Sequence, residues 1–165
     1  VTKLAFVPLI LVGKRTANNK ILLAFDGSEN AKGAVEFVGS LLGGLDYAVS
    51  LFHVIRSNEE GLPEHQHILS PKEYYKFARK EMAASLMAAE AELIHAGFKA
   101  HKVSSQIDTG AISRAGAIAD IATQENFGTI VMGRRGHSSV RDFFIGRVTN
   151  KVIHIARDRT VWVIR

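Results

Sequence analysis

The stretch Gly133-Arg134-Arg135-Gly136, with Gly146 following after nine residues, is where this chain holds residue types suited to chemistry. It directly follows the apolar run Thr129-Ile130-Val131-Met132. A buried strand that ends in two glycines three apart, then meets a third at a helix mouth, can wrap backbone around an anion. Glycine lacks Cβ, so main-chain N–H groups can approach phosphate oxygens, and a helix N-terminus adds partial positive charge. Arg134, Arg135, Arg141, Arg147 and Lys151 cluster along the same stretch. One of them facing a phosphate would suit that chemistry, although long basic side chains near a helix also simply reach solvent. A plain strand-to-helix turn is the competing reading of the glycines. Ser139 to Asp142 also fits a capping box, which would satisfy free N–H groups without a ligand. Thr149 could face a phosphate or cap the helix start.

Other chemistry has thinner support. His65 and His67 share one side of an extended segment, but no third metal ligand is near, so a solvated loop is expected. His53 lies within a strand and reads as a hydrogen-bonded, partly buried histidine. There is no Gly-x-x-x-x-Gly-Lys-Ser/Thr loop, no Gly-x-Ser-x-Gly elbow and no Gly-x-Gly-x-x-Gly after the first strand. No two carboxylates sit together at a strand end to hold a catalytic metal, and no nucleophile stands beside its base. The expectation is no catalytic residue, no metal site and at most slow turnover.

These residues need elements to position them. Residues 20–25 read as a buried strand that ends in Asp26-Gly27-Ser28. Ala34, Phe37, Val38, Leu41 and Leu42 keep helical spacing, and Gly43-Gly44 stops that helix. A second strand covers 48–54. A polar loop over 57–70 leads to a long helix beginning near Pro71, with Tyr75, Ala78, Met82, Leu86, Ala89 and Leu93 on one face. Gly97 is placed as its C′ residue. A strand at about 99–107 and a helix at about 112–124 follow, the latter turning Ile118, Ile121 and Ala122 inward. After the strand at 129–132, a last helix carries Val148, Val152, Ile155 and Ala156, and 160–164 is the final strand. Strand and helix alternate throughout, which requires a mostly parallel sheet covered on both faces. Ligands of such sheets sit beyond the carboxyl ends of the strands, where Asp26, Val54, Gly110 and Gly133 fall.

The bulk properties narrow the class. The 165 residues fit one domain, and a hydrophobic content of 47% is that of a globular protein. No cysteine is present, which excludes disulfide and thiolate chemistry and fits a reducing compartment; the expected location is cytoplasmic. The formal charge of +5 comes from scattered basic residues, mostly a solvated surface. The longest apolar stretch, 4–12, is about half the ~20 residues a membrane span needs.

With these residues in view, the chain resembles the universal stress protein family, specifically its nucleotide-binding branch. The resemblance rests on the first strand running into Asp26-Gly27-Ser28-Glu29 and on the second ending in Leu51-Phe52-His53-Val54. It rests equally on Ile130-Val131-Met132-Gly133-Arg134-Arg135-Gly136 with Gly146 after it, and spans residues 20–165. It implies an α/β fold of the adenine nucleotide alpha-hydrolase-like type: an open, mostly parallel five-stranded sheet with helices on both faces. An extra N-terminal edge strand would come from residues 1–19. It implies ATP, with or without Mg, lying across the strand ends. Asp26 would hold the ribose hydroxyls, or else cap the first helix with Ser28. Main-chain groups at Val54 would meet the adenine edge. Gly133, Gly136 and Gly146 would cradle phosphates with the Thr149 hydroxyl, and Arg134 and Arg147 are the basic residues placed to join them. One departure is plain: the family pattern asks for Ser or Thr after the third glycine, and this chain has Arg147.

The expected function is a regulatory module of the stress response. ATP would order the 133–146 loop and so change the surface offered to a protein partner. The alternative is a nucleotide-free dimerisation or interaction domain whose pocket is blocked by Arg147. The apolar final strand would need covering, by a homodimer partner, a tandem domain or the 9–12 strand. Residues 1–12 echo the end of the last helix and the last strand, as if left by a preceding copy of the domain, with 1–19 as edge strand and linker. Nucleic acid is not an expected partner, because no aromatic stacking platform accompanies the basic residues.

Overall fold

The structure is a computed structural model and describes residues 7–15, 18–57, 70–136 and 145–165. His65, His67 and the Ser139 to Asp142 capping box lie outside the described residues, as does much of the 133–146 loop. Six strands form one sheet: β1 (Leu9–Leu11), β2 (Lys20–Ala24), β3 (Ala48–Arg56), β4 (Val103–Ala111), β5 (Thr129–Gly133) and β6 (Thr160–Ile164). Their spatial order is β1-β6-β5-β2-β3-β4. The last five are mutually parallel, and β1 adds antiparallel to β6 with Ile10 opposite Trp162. The helices are α1 (Glu29–Leu42), α2 (Pro71–His95), α3 (Arg114–Gln124) and α4 (Arg147–Ile155).

Alternation along the strands builds two cores. Ile21, Leu23, Val49, Leu51 and Val131 turn to one face, beneath Val35 and Val38 of α1 and Leu86 and Leu93 of α2. Leu22, Phe52, Ile130, Met132, Val161 and Val163 turn to the other, beneath Ile118 and Ala122 of α3 and Val152 of α4. The helices therefore change face when the chain returns across the sheet. That change falls between β2, whose helix goes to one face, and β5, whose helix goes to the other. The carboxyl ends of these neighbours diverge into a crevice, the switch point where open α/β sheets bind ligands.

Local chemistry sets the element ends. Ser28 caps α1, its hydroxyl accepting the Ala31 N–H at 3.3 Å. Ser70 and Glu73 form a complete capping box ahead of Pro71, and Gly97 follows the Ala96 C-cap with φ of +110°. Three expectations need correction. The fourth strand lies at Val103–Ala111, not 99–107, because residues 100–102 make a single 3-10 turn and the edge strand Val-Ser-Ser-Gln-Ile-Asp-Thr-Gly-Ala has no apolar run to mark its ends. Leu41 is 50% exposed and Ile155 47% exposed. Each lies one residue, about 100°, from the buried stripe of its helix (Val38 and Leu42; Val152 and Ala156). Finally, α3 starts at Arg114, after the Ser113 cap, so Ile112 stays outside it.

The final strand is covered as one expectation had it, by the chain's own N-terminal segment. Beyond β1, the Arg15 amide donates to the Asp158 carbonyl at 2.7 Å. Gly13 passes so close to the Arg159 backbone that a Cβ there would collide with it.

Candidate nucleotide site

A cavity of about 660 Å³ opens at the switch point, a size within the range of small-molecule sites. Its walls come from the ends of β2, β3 and β5, the starts of α3 and α4, and Met82 of α2. Of the residues expected at a site, Asp26, Val54, Gly133, Gly136, Gly146, Arg147 and Thr149 all line it.

Asp26 is two residues past the end of β2. Its Oδ1 accepts the Ser28 amide at 3.1 Å, a tight turn made possible by Gly27 at φ +77°. Ser28, not Asp26, caps α1. The Asp26 carboxylate therefore stays at the cavity wall. Beside it, His53 Nδ1 donates to the Phe25 carbonyl at 2.8 Å, as its expected strand position suggested.

The three glycines have different neighbours. A Cβ on Gly136 would strike Asp26 Oδ2, so the turn after β5 closes directly onto the carboxylate. A Cβ on Gly133 would lie 2.8 Å from the Asn30 carbonyl carbon and 2.9 Å from the Ala31 nitrogen. That glycine serves close packing of β5 against the first turn of α1. Gly146 is the N-cap of α4 and donates its N–H to the Arg134 carbonyl at 2.8 Å. Thr149 is buried and donates its hydroxyl to the Gly133 carbonyl at 3.0 Å, so it locks the α4 start to β5 and makes no side-chain cap.

The arginines are distributed differently from the expectation. Arg134 does not line the cavity: its amide continues the ladder to the Ile164 carbonyl at 2.5 Å, and its side chain is buried. The adjacent Arg135 lines it instead. Arg147 is exposed at the cavity edge and leaves the volume open. Two lining arginines escaped the sequence reading. Arg56 lies two residues beyond the expected strand end, and Arg114 donates from Nε to the Val54 carbonyl at 3.4 Å. That carbonyl is the group expected to meet an adenine edge. The sequence signal for Arg114 was slight: a cation directly after the Ser113 cap, which adds to the positive end of the helix dipole.

Comparison with known proteins follows the same lines. The family model of the universal stress protein family matches residues 17–165. The chain belongs to this family. A comparison with curated proteins finds no match. Among solved structures, hypothetical protein MJ0577 superposes with a TM-score of 0.73 at 28% identity, covering 90% of this chain and 96% of that one. UspA from Lactobacillus plantarum gives 0.73 at 20% identity, covering 92% and 100%. The universal stress protein from Archaeoglobus fulgidus in complex with dAMP gives 0.61 at 18% identity, covering 91% and 100%. Among the described residues, no helix of this universal stress protein is long and apolar enough to cross a membrane.

Proposed function

We propose that this chain is a nucleotide-binding regulatory module that takes ATP at the β2–β5 switch point and acts in a stress response through nucleotide-dependent interaction with a protein partner. The observation that carries the reading is the convergence of Asp26, Gly136, Gly146 and Thr149 on one open cavity of about 660 Å³. The dAMP complex of the Archaeoglobus fulgidus relative supports an adenine nucleotide as the ligand. In this reading Asp26 accepts the ribose hydroxyls and the Gly136 and Gly146 backbones approach the phosphates. Binding is the signal, since no nucleophile with its base lines the described cavity.

The alternative, a pocket blocked by Arg147, has less support, because that side chain is exposed and the cavity persists beside it. We read residues 20–165 as the domain and 1–19 as an appended strand and linker, in a cytoplasmic protein. Since β1 already occupies the outer edge of β6, pairing with a second copy or a tandem domain is expected along β1. The test is release of bound small molecules from purified protein by denaturation, with identification by mass spectrometry. Near-stoichiometric ATP or ADP supports the reading; an empty preparation that also binds no ATP in calorimetry overturns it.

A further inference from the structure

The walls of the cavity differ in character. Phe52, Val54, Ile118 and Met132 belong to the core beneath α3 and α4 and give it an apolar side. Asp26 and Gly136 meet instead beyond the ends of β2 and β5. A base ring is buried best against the apolar side, with its edge toward the end of β3 and the start of α3.

The side chains standing at that edge only donate hydrogen bonds. Arg114 gives its Nε to the Val54 carbonyl at 3.4 Å, so that acceptor is already engaged, and the two Nη groups have no acceptor among the described residues. Arg56 follows Val54 by two residues, so strand alternation puts it on the same side. Opposite Arg56 the β3–β4 register shifts, with Gly110 at φ +86° as the extra residue of β4. Bulges of this kind twist a strand end and re-aim side chains beside sites. The Arg56 Nε is buried with no acceptor among the described residues, a costly state that an acceptor on a ligand would relieve. His53, between Phe52 and Val54, has its Nδ1 held by the Phe25 carbonyl.

A base facing guanidinium groups gains by offering acceptors. A 6-keto purine presents O6 and N7 side by side, a pair that one arginine engages together. Adenine keeps N7 but carries an amino group at position 6, which sets a donor against donors.

We propose that this site takes a guanine nucleotide at least as tightly as ATP, with Arg114 as the residue that decides base selection. This rests on the nucleotide reading above and widens its ligand class to purine nucleoside triphosphates. Arg114 keeps its Nε on Val54 and offers its Nη groups to O6 and N7.

The test is titration calorimetry of the full chain with ATP, GTP and ITP in one magnesium-containing buffer. The three share their triphosphate, so phosphate and metal contributions are common to all. GTP should bind as tightly as ATP, within about threefold, or more tightly, and ITP, which has O6 and N7 but no 2-amino group, should follow GTP. In Arg114→Met, a change at an exposed position, the ratio of the GTP to the ATP dissociation constant should rise by about tenfold or more, the worth of a bidentate base contact. Binding of ATP more than about threefold tighter than GTP overturns the inference and leaves the nucleotide reading standing. An unchanged ratio in Arg114→Met overturns the part given to that residue, and tight GTP with weak ITP overturns the O6 and N7 contact. Absence of binding by all three overturns both readings together.

Discussion

Replacing Gly136 with alanine tests whether the turn after β5 is built around the Asp26 carboxylate. The added Cβ would overlap Asp26 Oδ2. Aspartate has a short side chain, and this one is tethered by the Ser28 amide on Oδ1 at 3.1 Å. Relief must come from rotating the carboxylate off its turn or from moving the Gly136 backbone away. Either motion disturbs the group assigned to the ribose. A hydrogen bond to a charged group contributes about 1.5–3 kcal/mol, so losing it should weaken ATP binding by roughly 10- to 100-fold. Asp26→Ala should weaken it by a similar factor. The decisive reading is the double variant. If the alanine at 136 acts by displacing Asp26, it should add less than about threefold in the Asp26→Ala background, since the two changes then remove one interaction. Calorimetric titration of the four proteins gives the cycle. Losses that multiply independently, or an unchanged dissociation constant in both single variants, would refute the reasoning.

Other perturbations probe the frame. Gly133→Ala places its Cβ against the rigid backbone of Asn30 and Ala31, so it should destabilise the fold by about 1–3 kcal/mol in urea melts, in contrast to the mainly binding effect at Gly136. Arg159 is 2% exposed and donates to the Phe127 carbonyl and, at 3.3 Å, to the Thr123 hydroxyl. Arg159→Met keeps volume but leaves that carbonyl without its buried donor, for an expected loss of about 1–3 kcal/mol by the same melts. Burial, and then the nearby Glu36 charge, push the Glu92 carboxyl above its ordinary range. The folded state therefore disfavours the ionised form, a penalty present at neutral pH that disappears as pH falls through the raised value to the unfolded one. Glu92 is exposed, so solvent screens the effect: Glu92→Gln should gain only a few tenths of a kcal/mol (about 0.2–0.3) at pH 7 and nothing near pH 3, read from thermal melts at the two values.

What the sequence made legible follows from how sharply each feature is marked. β2, β3 and β5 are buried on both faces and read as apolar runs; β4, at the sheet edge and rich in polar residues, lost its boundaries. The long helix was legible because Pro71, the Leu86-Ala89-Leu93 spacing and Gly97 agree with one another. Leu41 and Ile155 misled because a short helix stripe tolerates an apolar neighbour on its solvent side. At the site, glycine spacing placed the turn, but it could not say which of Arg134 and Arg135 lines the cavity. That choice depends on the β5–β6 ladder continuing one residue further, through the Arg134 amide. Arg56 and Arg114 come from a strand end and a helix start far apart in sequence, and the sheet alone brings them together.

The glycine motif also does less ligand-specific work than its spacing suggests. Gly133 is required by the approach of α1, and at Gly146 a Cβ would sit a tight 3.3 Å from the Arg134 carbonyl oxygen, whether or not a ligand is present. The Thr149 hydroxyl and the Gly146 amide already bond to the carbonyls of Gly133 and Arg134, so the described flanks of the turn are held by the protein itself. A motif with these contacts would keep its glycines in a member that had lost nucleotide. The glycine pattern is therefore evidence for the fold first. The case for a ligand rests on the cavity itself: four arginines and the Asp26 carboxylate converge on its wall, and the buried Arg56 Nε has no acceptor among the described residues.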